Sequence, residues 1–372
     1  MIIGFDAKRV FNNKTGLGNY SRRLLQDLHC NWPNPQMRLF TPKIQCETDF
    51  LFHQSGVKRV LPQGKWKHLS SLWRSFGQAE IAKKEGVTIF HGLSNEIPSG
   101  LAKQGIAGVV TIHDLIFLHR PELYPRIDRG IYRHKFEQAC KQAQLVLATS
   151  EATKQDIIRF FKLPESKVQV LYQDGDPAYS KPIANQEKER ILAKYQINNP
   201  FILSVGTFEK RKNHLRLLEA FHQLDRLDLD LVLIGRAADN WPMMMQFIEK
   251  HKLQNRVKVI STVAFHELVG IYQSASVFAY VSEIEGFGIP VLEAMKAGIP
   301  VLTSNCSSMP EVAGKAGVLV NPKDVSAIQS GLASLLEPNG IRNKIIQEIP
   351  LQLRLFDGNN IAKQLLAYYH SL

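Results

Sequence analysis

Two doubly wound α/β domains are the fold class that the sequence predicts, on three observations. Short runs rich in Val, Ile and Leu alternate with longer amphipathic stretches, the pattern of parallel strands covered by helices on both faces. The alternation runs in two series, separated by a polar stretch that holds two prolines. A chain of 372 residues also exceeds what one ordinary core organises.

The first series predicts strands at 2–5, 87–90, 109–112, 145–149 and 168–172, with helical spacing at 20–28 and 128–142. The separator QDGDPAYSKPIANQEKER, residues 173–190, reads as the boundary. The second series predicts strands at 201–205, 229–234, 257–260, 277–281, 301–303 and 318–320, with a helix over 215–224. After a break at Asp357 and Gly358, Ile361, Leu365, Leu366 and Tyr369 fall at helical spacing. The expected domains are therefore 1–177, joined by a returning helix 358–372, and 190–357. Ligands are expected at the carboxyl ends of the strands.

Composition excludes several classes. With 44% apolar and 22% charged residues, the chain reads as globular, and no stretch approaches the roughly 18 apolar residues of a spanning helix. The opening MIIGFDAKRV meets Asp6 at once and reads as a strand, not a signal peptide. Cys30, Cys46, Cys140 and Cys306 are scattered without metal-ligand spacing, as expected of reduced cytoplasmic thiols. The net charge of +12 is concentrated early: residues 1–180 hold 25 Lys/Arg against 16 Asp/Glu. Such an excess is either a solvated basic face or a surface for an anionic partner, such as a phospholipid membrane. Nucleic acid is not expected, because no interleaved aromatic and basic motif is present. Residues 65–84 place Trp66, Leu69, Leu72, Trp73 and Phe76 at helical spacing among lysines and arginines. Such a helix lies on a sheet or in a membrane interface, and the second reading makes the protein peripheral on the inner face of the cytoplasmic membrane.

Three motifs carry chemistry. In FILSVGTFEKRKNHLRLL a buried strand ends at Gly206, and Lys210, Arg211 and Lys212 precede a helix that starts near Asn213. Three cations there run against the helix dipole; a bound anion such as a diphosphate resolves the conflict, and a solvated basic loop is the other reading of this stretch taken alone. In EIEGFGIPVLEAMKAGIPVL, Pro290 and Gly298 bracket a helix from 290 to 297, with Gly286 and Gly288 just before it. Glu285 and Glu293 thus flank a set of backbone N–H donors, an arrangement suited to a hydroxyl-rich ligand; Glu293 taken alone is equally a first-turn acid. In the first series, TGLGNYSRRLL places Gly16 and Gly18 at a helix start, and VVTIHDLIF ends a strand in His113 and Asp114. Asp174-Gly175-Asp176 has the spacing of a metal-binding DxD, but Pro177 follows at once and favours a turn. With cations available for phosphate, no metal is expected.

Taken together, GTFEKRKN, SEIEGFGIPVLEAMKAGIPVLTSN and MPEVAG resemble the signature of family 4 of the retaining glycosyltransferases. TGLGNYSRRL, TIHDLIFL and TSEATKQDI extend the resemblance over nearly the whole chain. It implies a GT-B fold, two Rossmann-like domains facing across a cleft. The chain is most similar to bacterial mannosyl- or glucosyltransferases of surface-polysaccharide biosynthesis. By that resemblance Arg211 and Lys212 neutralise the diphosphate of a nucleotide-sugar donor, and Glu285 with the amides of Gly286, Phe287 and Gly288 holds the donor sugar. Glu293 accepts from the ribose, Gly206 and Ser261 border the nucleotide, Gly16 and Gly18 close over the phosphates, and His113 lies near donor sugar and acceptor. The implied donor is a GDP- or UDP-sugar, the acceptor a glycan or lipid-linked glycan, and the reaction needs no cofactor. Two other readings stay open on sequence alone: a same-fold sugar-nucleotide epimerase, and a catalytically silent sugar- or membrane-binding protein.

Overall fold

The computed structural model describes residues 1–13, 15–45, 54–69, 72–338 and 340–372, together with all their side chains but that of Lys65; Cys46 lies outside the described residues. The chain divides into two compact units, Met1–Asp174 with Phe356–Leu372, and Gly175–Leu355.

The first unit is built on β1 (Ile3–Asp6), β2 (Met37–Phe40), β3 (Val57–Val60), β4 (Ile89–Gly92), β5 (Ala107–Ile112), β6 (Leu145–Ala148) and β7 (Val168–Val170). They form one sheet in the order β3-β2-β1-β4-β5-β6-β7, and each neighbouring pair is parallel. β2 and β3 are additions to the predicted series. β3, VKRV, lies at the sheet edge with Lys58 and Arg59 exposed, so it lacks the apolar run that marks a central strand. The stretch between β1 and the helix Gly16–Asn31 is not an open loop: it contains the short helix Lys8–Asn12.

The second unit holds β8 (Phe201–Val205), β9 (Asp230–Ile234), β10 (Val257–Ile260), β11 (Val277–Tyr280), β12 (Val301–Ser304) and β13 (Gly317–Val320). Their order is β10-β9-β8-β11-β12-β13, again parallel throughout. This is the doubly wound dinucleotide-fold order, whose direction of winding reverses between the strands at the centre. The reversal falls between β8 and β11 here, and between β1 and β4 in the first unit. Both chain directions diverge at such a point, which opens a crevice at the carboxyl edge.

The C-terminal helix Gly358–His370 packs on the helix Gly16–Asn31, and buries Ile361, Leu365, Leu366 and Tyr369 in the core that surrounds β1. Its start is capped by Asp357, which accepts from the Asn360 N–H at 3.0 Å. Beside that start, Arg23 bridges Asp27 at 2.8 Å and Asp174 at 3.4 Å, which gives Asp174 a structural partner within the first unit. Asp176, in the second unit, caps the turn Pro177–Ser180 by accepting from the Ala178 N–H at 2.8 Å. A buried polar chain leads inward from the helix. The Tyr369 hydroxyl lies 2.6 Å from His91 Nδ1, His91 Nε2 is 2.8 Å from Thr111 Oγ1, and Thr111 meets the Tyr20 hydroxyl at 3.3 Å.

The stretch 65–84 departs from one amphipathic helix. It opens with a 3-10 turn, Gly64–Lys67, and after the interval continues as a π-helical segment, Trp73–Gly77, into the α-helix Gln78–Lys84. Trp73 is fully buried with Phe40 and Phe90, so it is a core residue and not part of a lipid-facing edge. Leu69, Leu72 and Phe76 are the exposed apolar residues.

The Tyr369→Phe variant keeps the shape of the core but leaves a buried His91 nitrogen without its partner, at a cost of about 1–3 kcal/mol. A lower unfolding midpoint in denaturant, with unchanged slope, is the expected outcome; an unaltered midpoint would show that this hydrogen bond stabilises nothing.

Candidate active site

The carboxyl edge of the second sheet gathers most of the residues singled out in the sequence. After β8 the chain makes one 3-10 turn, Lys210–Lys212, which Asn213 ends in the left-handed region at φ 63°. The Asn213 side chain is buried and donates to the Val281 and Pro322 carbonyls at 3.0 and 2.6 Å. The cationic loop is thereby fixed to the end of β11. A second attachment comes from Arg211, whose carbonyl accepts from the Glu283 N–H at 2.8 Å and lies 3.0 Å from the Ser282 hydroxyl.

Glu285 occupies the centre of this arrangement. Its Oε1 accepts from Arg211 Nη1 at 2.9 Å, Lys212 Nζ at 2.5 Å, the Tyr280 hydroxyl at 2.9 Å and the Ser282 hydroxyl at 2.8 Å. Oε2 makes no hydrogen bond among the described residues. Arg211 also holds Glu209 through Nε at 2.7 Å, and Lys212 lies over the Tyr280 ring and bonds its hydroxyl. Within the protein, Glu285 and Glu209 already answer the charge of Arg211, and Glu285 that of Lys212. Burial would raise the Glu285 pKa, but Lys212 and Arg211 outweigh it and hold the carboxyl down at about 2. Burial lowers the pKa of Lys212, and Glu285 acts against that fall.

The turn that carries Glu285 is held from below. Ser307 donates to the Glu285 carbonyl at 2.6 Å and accepts from the Glu285 N–H at 3.1 Å, while Ser308 donates to the Phe287 carbonyl at 2.6 Å and stands 3.1 Å from the Glu285 carbonyl. Gly288 precedes the helix Ile289–Lys296 at φ 122°, and a β-carbon there would lie 2.4 Å from Met309 Cε. The positive φ favours glycine, and any larger residue would also displace the tip of the Met309 side chain. The Phe287 side chain is buried, so that residue anchors the turn through its ring.

Glu293 has a different setting. It faces away into a group of tyrosines, accepting from the Tyr272 hydroxyl at 3.2 Å, with Tyr179 and Asp176 nearby. Burial first, and Asp176 after it, push its pKa up to about 8. Glu285 and Glu293 are therefore not brought to one point. Ser261 follows the edge strand β10, exposed, two strands from β8, or about 10 Å at the usual strand spacing. Gly206 follows β8 directly.

In the first unit, Gly16 and Gly18 open the helix Gly16–Asn31, and a β-carbon on Gly18 would lie 1.9 Å from the Asn13 carbonyl oxygen. His113 follows β5, buried, with Nε2 2.9 Å from the Leu93 carbonyl and the Tyr20 ring edge-on at 4.7 Å. A carbonyl only accepts, so Nε2 carries the proton and Nδ1 is left as an acceptor. Burial lowers the His113 pKa to about 4, which leaves the ring neutral at pH 7. A neutral imidazole of this tautomer accepts a hydrogen bond from a hydroxyl and does not supply positive charge.

Sequence reasoning missed Tyr280, Ser282, Glu209 and Ser307, all of which complete the Glu285 site. The available signal was position: Tyr280 and Ser282 stand at the carboxyl end of a buried strand, where ligand-binding residues concentrate. Among the described residues, no three or more His, Cys, Asp or Glu side chains converge as a metal-ligand group.

Glu293 keeps its proton in the folded state to a pH of about 8, whereas it ionises near 4.5 when exposed. The folded state then binds more protons in that interval, so stability falls as pH rises from about 5 to 8. Replacing it by the isosteric amide, Glu293→Gln, removes this dependence. The gap in stability between variant and wild type is expected to shift in favour of the variant across that range in denaturant unfolding. A gap that is constant with pH would refute the raised pKa.

Two family descriptions match the chain: "Glycosyltransferase Family 4" over residues 19–173 and "Glycosyl transferases group 1" over 187–351. O-antigen chain mannosyltransferase B of Escherichia coli is 31% identical, and the alignment covers all of both chains. O-antigen chain mannosyltransferase RfbU of Salmonella typhimurium is 27% identical over 61% of this chain and 60% of its own. Among solved structures, HepE of Anabaena in complex with UDP and glucose superposes with a TM-score of 0.76 at 19% identity, covering 100% of this chain and 99% of its own. By sequence over its whole length, and by fold, the chain belongs to the family 4 glycosyltransferases and is a hexosyltransferase of the GT-B class.

Proposed function

We propose that this enzyme moves a hexose of the mannose or glucose type from a nucleoside-diphosphate donor, GDP- or UDP-linked, to a glycan or lipid-linked glycan, without a metal and with retained anomeric configuration. The observation that carries the reading is the convergence of Arg211 and Lys212 on one point at the β8/β11 reversal. Breaking the anomeric C–O bond places negative charge on the departing diphosphate. Two cations already held in a buried setting answer that charge without reorganising, a contribution of several kcal/mol per group. In front-face transfer the acceptor oxygen forms the new bond on the side from which the diphosphate leaves, and the leaving phosphate oxygen takes the acceptor proton. Mannose is favoured as the sugar, since O-antigen chain mannosyltransferase B aligns over the full length. The relatives named above support transfer and lend nothing to an epimerase.

Lys212→Ala is expected to lower turnover of a nucleotide-sugar donor by about a hundredfold or more, with the folded state retained by circular dichroism. Wild-type turnover in that variant would remove the proposed role. EDTA is expected to leave wild-type turnover unchanged, and activity lost to EDTA and restored by Mg²⁺ would overturn metal independence.

The cytoplasmic face of a membrane is the proposed location. No described helix is long and apolar enough to cross a membrane. The first unit exposes Leu69, Leu72 and Phe76, and on the helix Arg126–Gln142 it exposes Ile127, at 77%, with Ile131 and Tyr132 among Arg126, Arg129 and Arg133. Apolar side chains among cations suit an anionic lipid surface. Vesicles of phosphatidylglycerol should sediment the protein at low salt and release it at high salt; failure to sediment at low salt would exclude this association.

A further inference from the structure

The carboxyl edge of the first sheet holds charges that the donor chemistry leaves unused. Asp6 ends β1, and its carboxylate, 4% exposed, accepts from Arg74 Nη2 at 2.6 Å and from the Lys8 N–H at 3.2 Å. Arg74 also reaches Glu96 at 3.6 Å, and Lys135 reaches Glu96 at 3.5 Å. Glu96 lies in the turn that follows β4, so this group spans the β1/β4 reversal. The two carboxylates are thus engaged by Arg74 and Lys135. Lys8 and Arg9, both partly buried, have side chains with no hydrogen bond or ion pair among the described residues. The Nε of Arg74 is buried without a partner among the described residues. Burial, then the charges of Arg74 and Arg9, lower the Lys8 pKa, with Asp6 and Glu96 acting against that fall, and the charge of Arg9 also acts on His113.

Four cations therefore stand against two carboxylates at a place where the fold opens a crevice. Like charges held together in partly buried positions are unfavourable unless an anion joins them. Arg and Lys side chains of this mix suit phosphate oxygens.

We propose that Lys8, Arg9 and Arg74, at the β1/β4 reversal, bind a phosphate group carried by the glycosyl acceptor, next to the hydroxyl-accepting face of His113. The site rests on the transferase reading for its role, though not for its chemistry. It makes the first unit a reader of phosphorylated acceptors, and it separates that phosphate from the donor diphosphate assigned to Arg211 and Lys212.

Two measurements on the full chain test it. In the first, the Lys8→Gln/Arg9→Gln double variant is assayed with one glycan acceptor in two forms, with and without a phosphate ester at its reducing end. The KM for the phosphorylated form should rise about tenfold or more, a loss of about 1.4 kcal/mol in binding. The donor KM and the KM for the phosphate-free form should stay unchanged. A rise in donor KM instead would assign the site to the donor and overturn the proposal, as would no change in any of the three. In the second, histidine-labelled enzyme is titrated with inorganic pyrophosphate and the His113 resonance is followed by NMR. The resonance should move in wild type and in Lys212→Ala, and stay still in the double variant. A still resonance in wild type, or a shift that survives in the double variant, would overturn the phosphate site. If no nucleotide sugar supports turnover, the transferase reading fails while the pyrophosphate titration still decides this one. Arg9→Gln alone, with an unaltered unfolding midpoint, guards against loss of fold, since the Arg9 side chain makes no hydrogen bond or ion pair among the described residues.

Discussion

The burial of the Glu285 carboxylate is the interaction around which the carboxyl edge of the second unit is arranged. An unpaired carboxylate with 11% of its side chain exposed would be strongly destabilising. Arg211, Lys212, Tyr280 and Ser282 together meet that demand at a single oxygen, and each must then be held in place. Asn213 takes a left-handed backbone to end the cationic turn and ties it to β11. Ser307 and Ser308 fix the turn on the other side. Two loops from strands that are adjacent in the sheet but distant in sequence thereby become one rigid piece. Rigidity of that kind is what electrostatic catalysis requires, because cations that need not move lose nothing when charge develops in front of them.

The same dependence explains what could be read from the sequence. Central strands such as FILSV and VFAY are buried on both faces, so their apolar runs name them directly. β3 is paired on one side only and faces water, so its Lys58 and Arg59 erase the pattern, although its pairing with β2 is regular. The cations of KRK and the glutamates of EGFGIPVLE were each visible as motifs. Their pairing was not, because Lys212 and Glu285 lie 73 residues apart and meet only through the order of strands. Local rules see a helix start with misplaced charges; the sheet supplies the carboxylate that corrects it. Trp73 shows the opposite failure: helical spacing placed it on a face, but spacing does not say whether that face looks toward water or core.

Glu285 and Glu293 make the same point within one turn and the helix that follows it. They have the same side chain, and the structure drives their pKa values in opposite directions, to about 2 and about 8. A carboxylate pair with separated pKa values is often the mark of an acid and a base acting on one substrate. Here that inference fails on geometry. Glu285 is committed to two cations before any substrate arrives, and Glu293 points into Tyr179 and Tyr272 from the helix body. The low value reports a charge network and the high value reports burial, so neither residue needs the other.

His113 completes the argument by what it cannot do. At a pKa of about 4 the ring is neutral under physiological conditions, and its one proton is engaged by the Leu93 carbonyl. It has no charge with which to stabilise a leaving diphosphate and no free proton to donate. What remains is a lone pair on Nδ1, which suits a hydroxyl. Arg211 stays charged at every accessible pH, since Glu285 and Glu209 raise its pKa further despite burial. The two units thus present complementary chemistry at their own strand ends: fixed positive charge in one, and a neutral acceptor beside a second cationic group in the other. A neutral ring cannot substitute for fixed charge, and a guanidinium, which has no lone pair to offer, cannot accept from a hydroxyl.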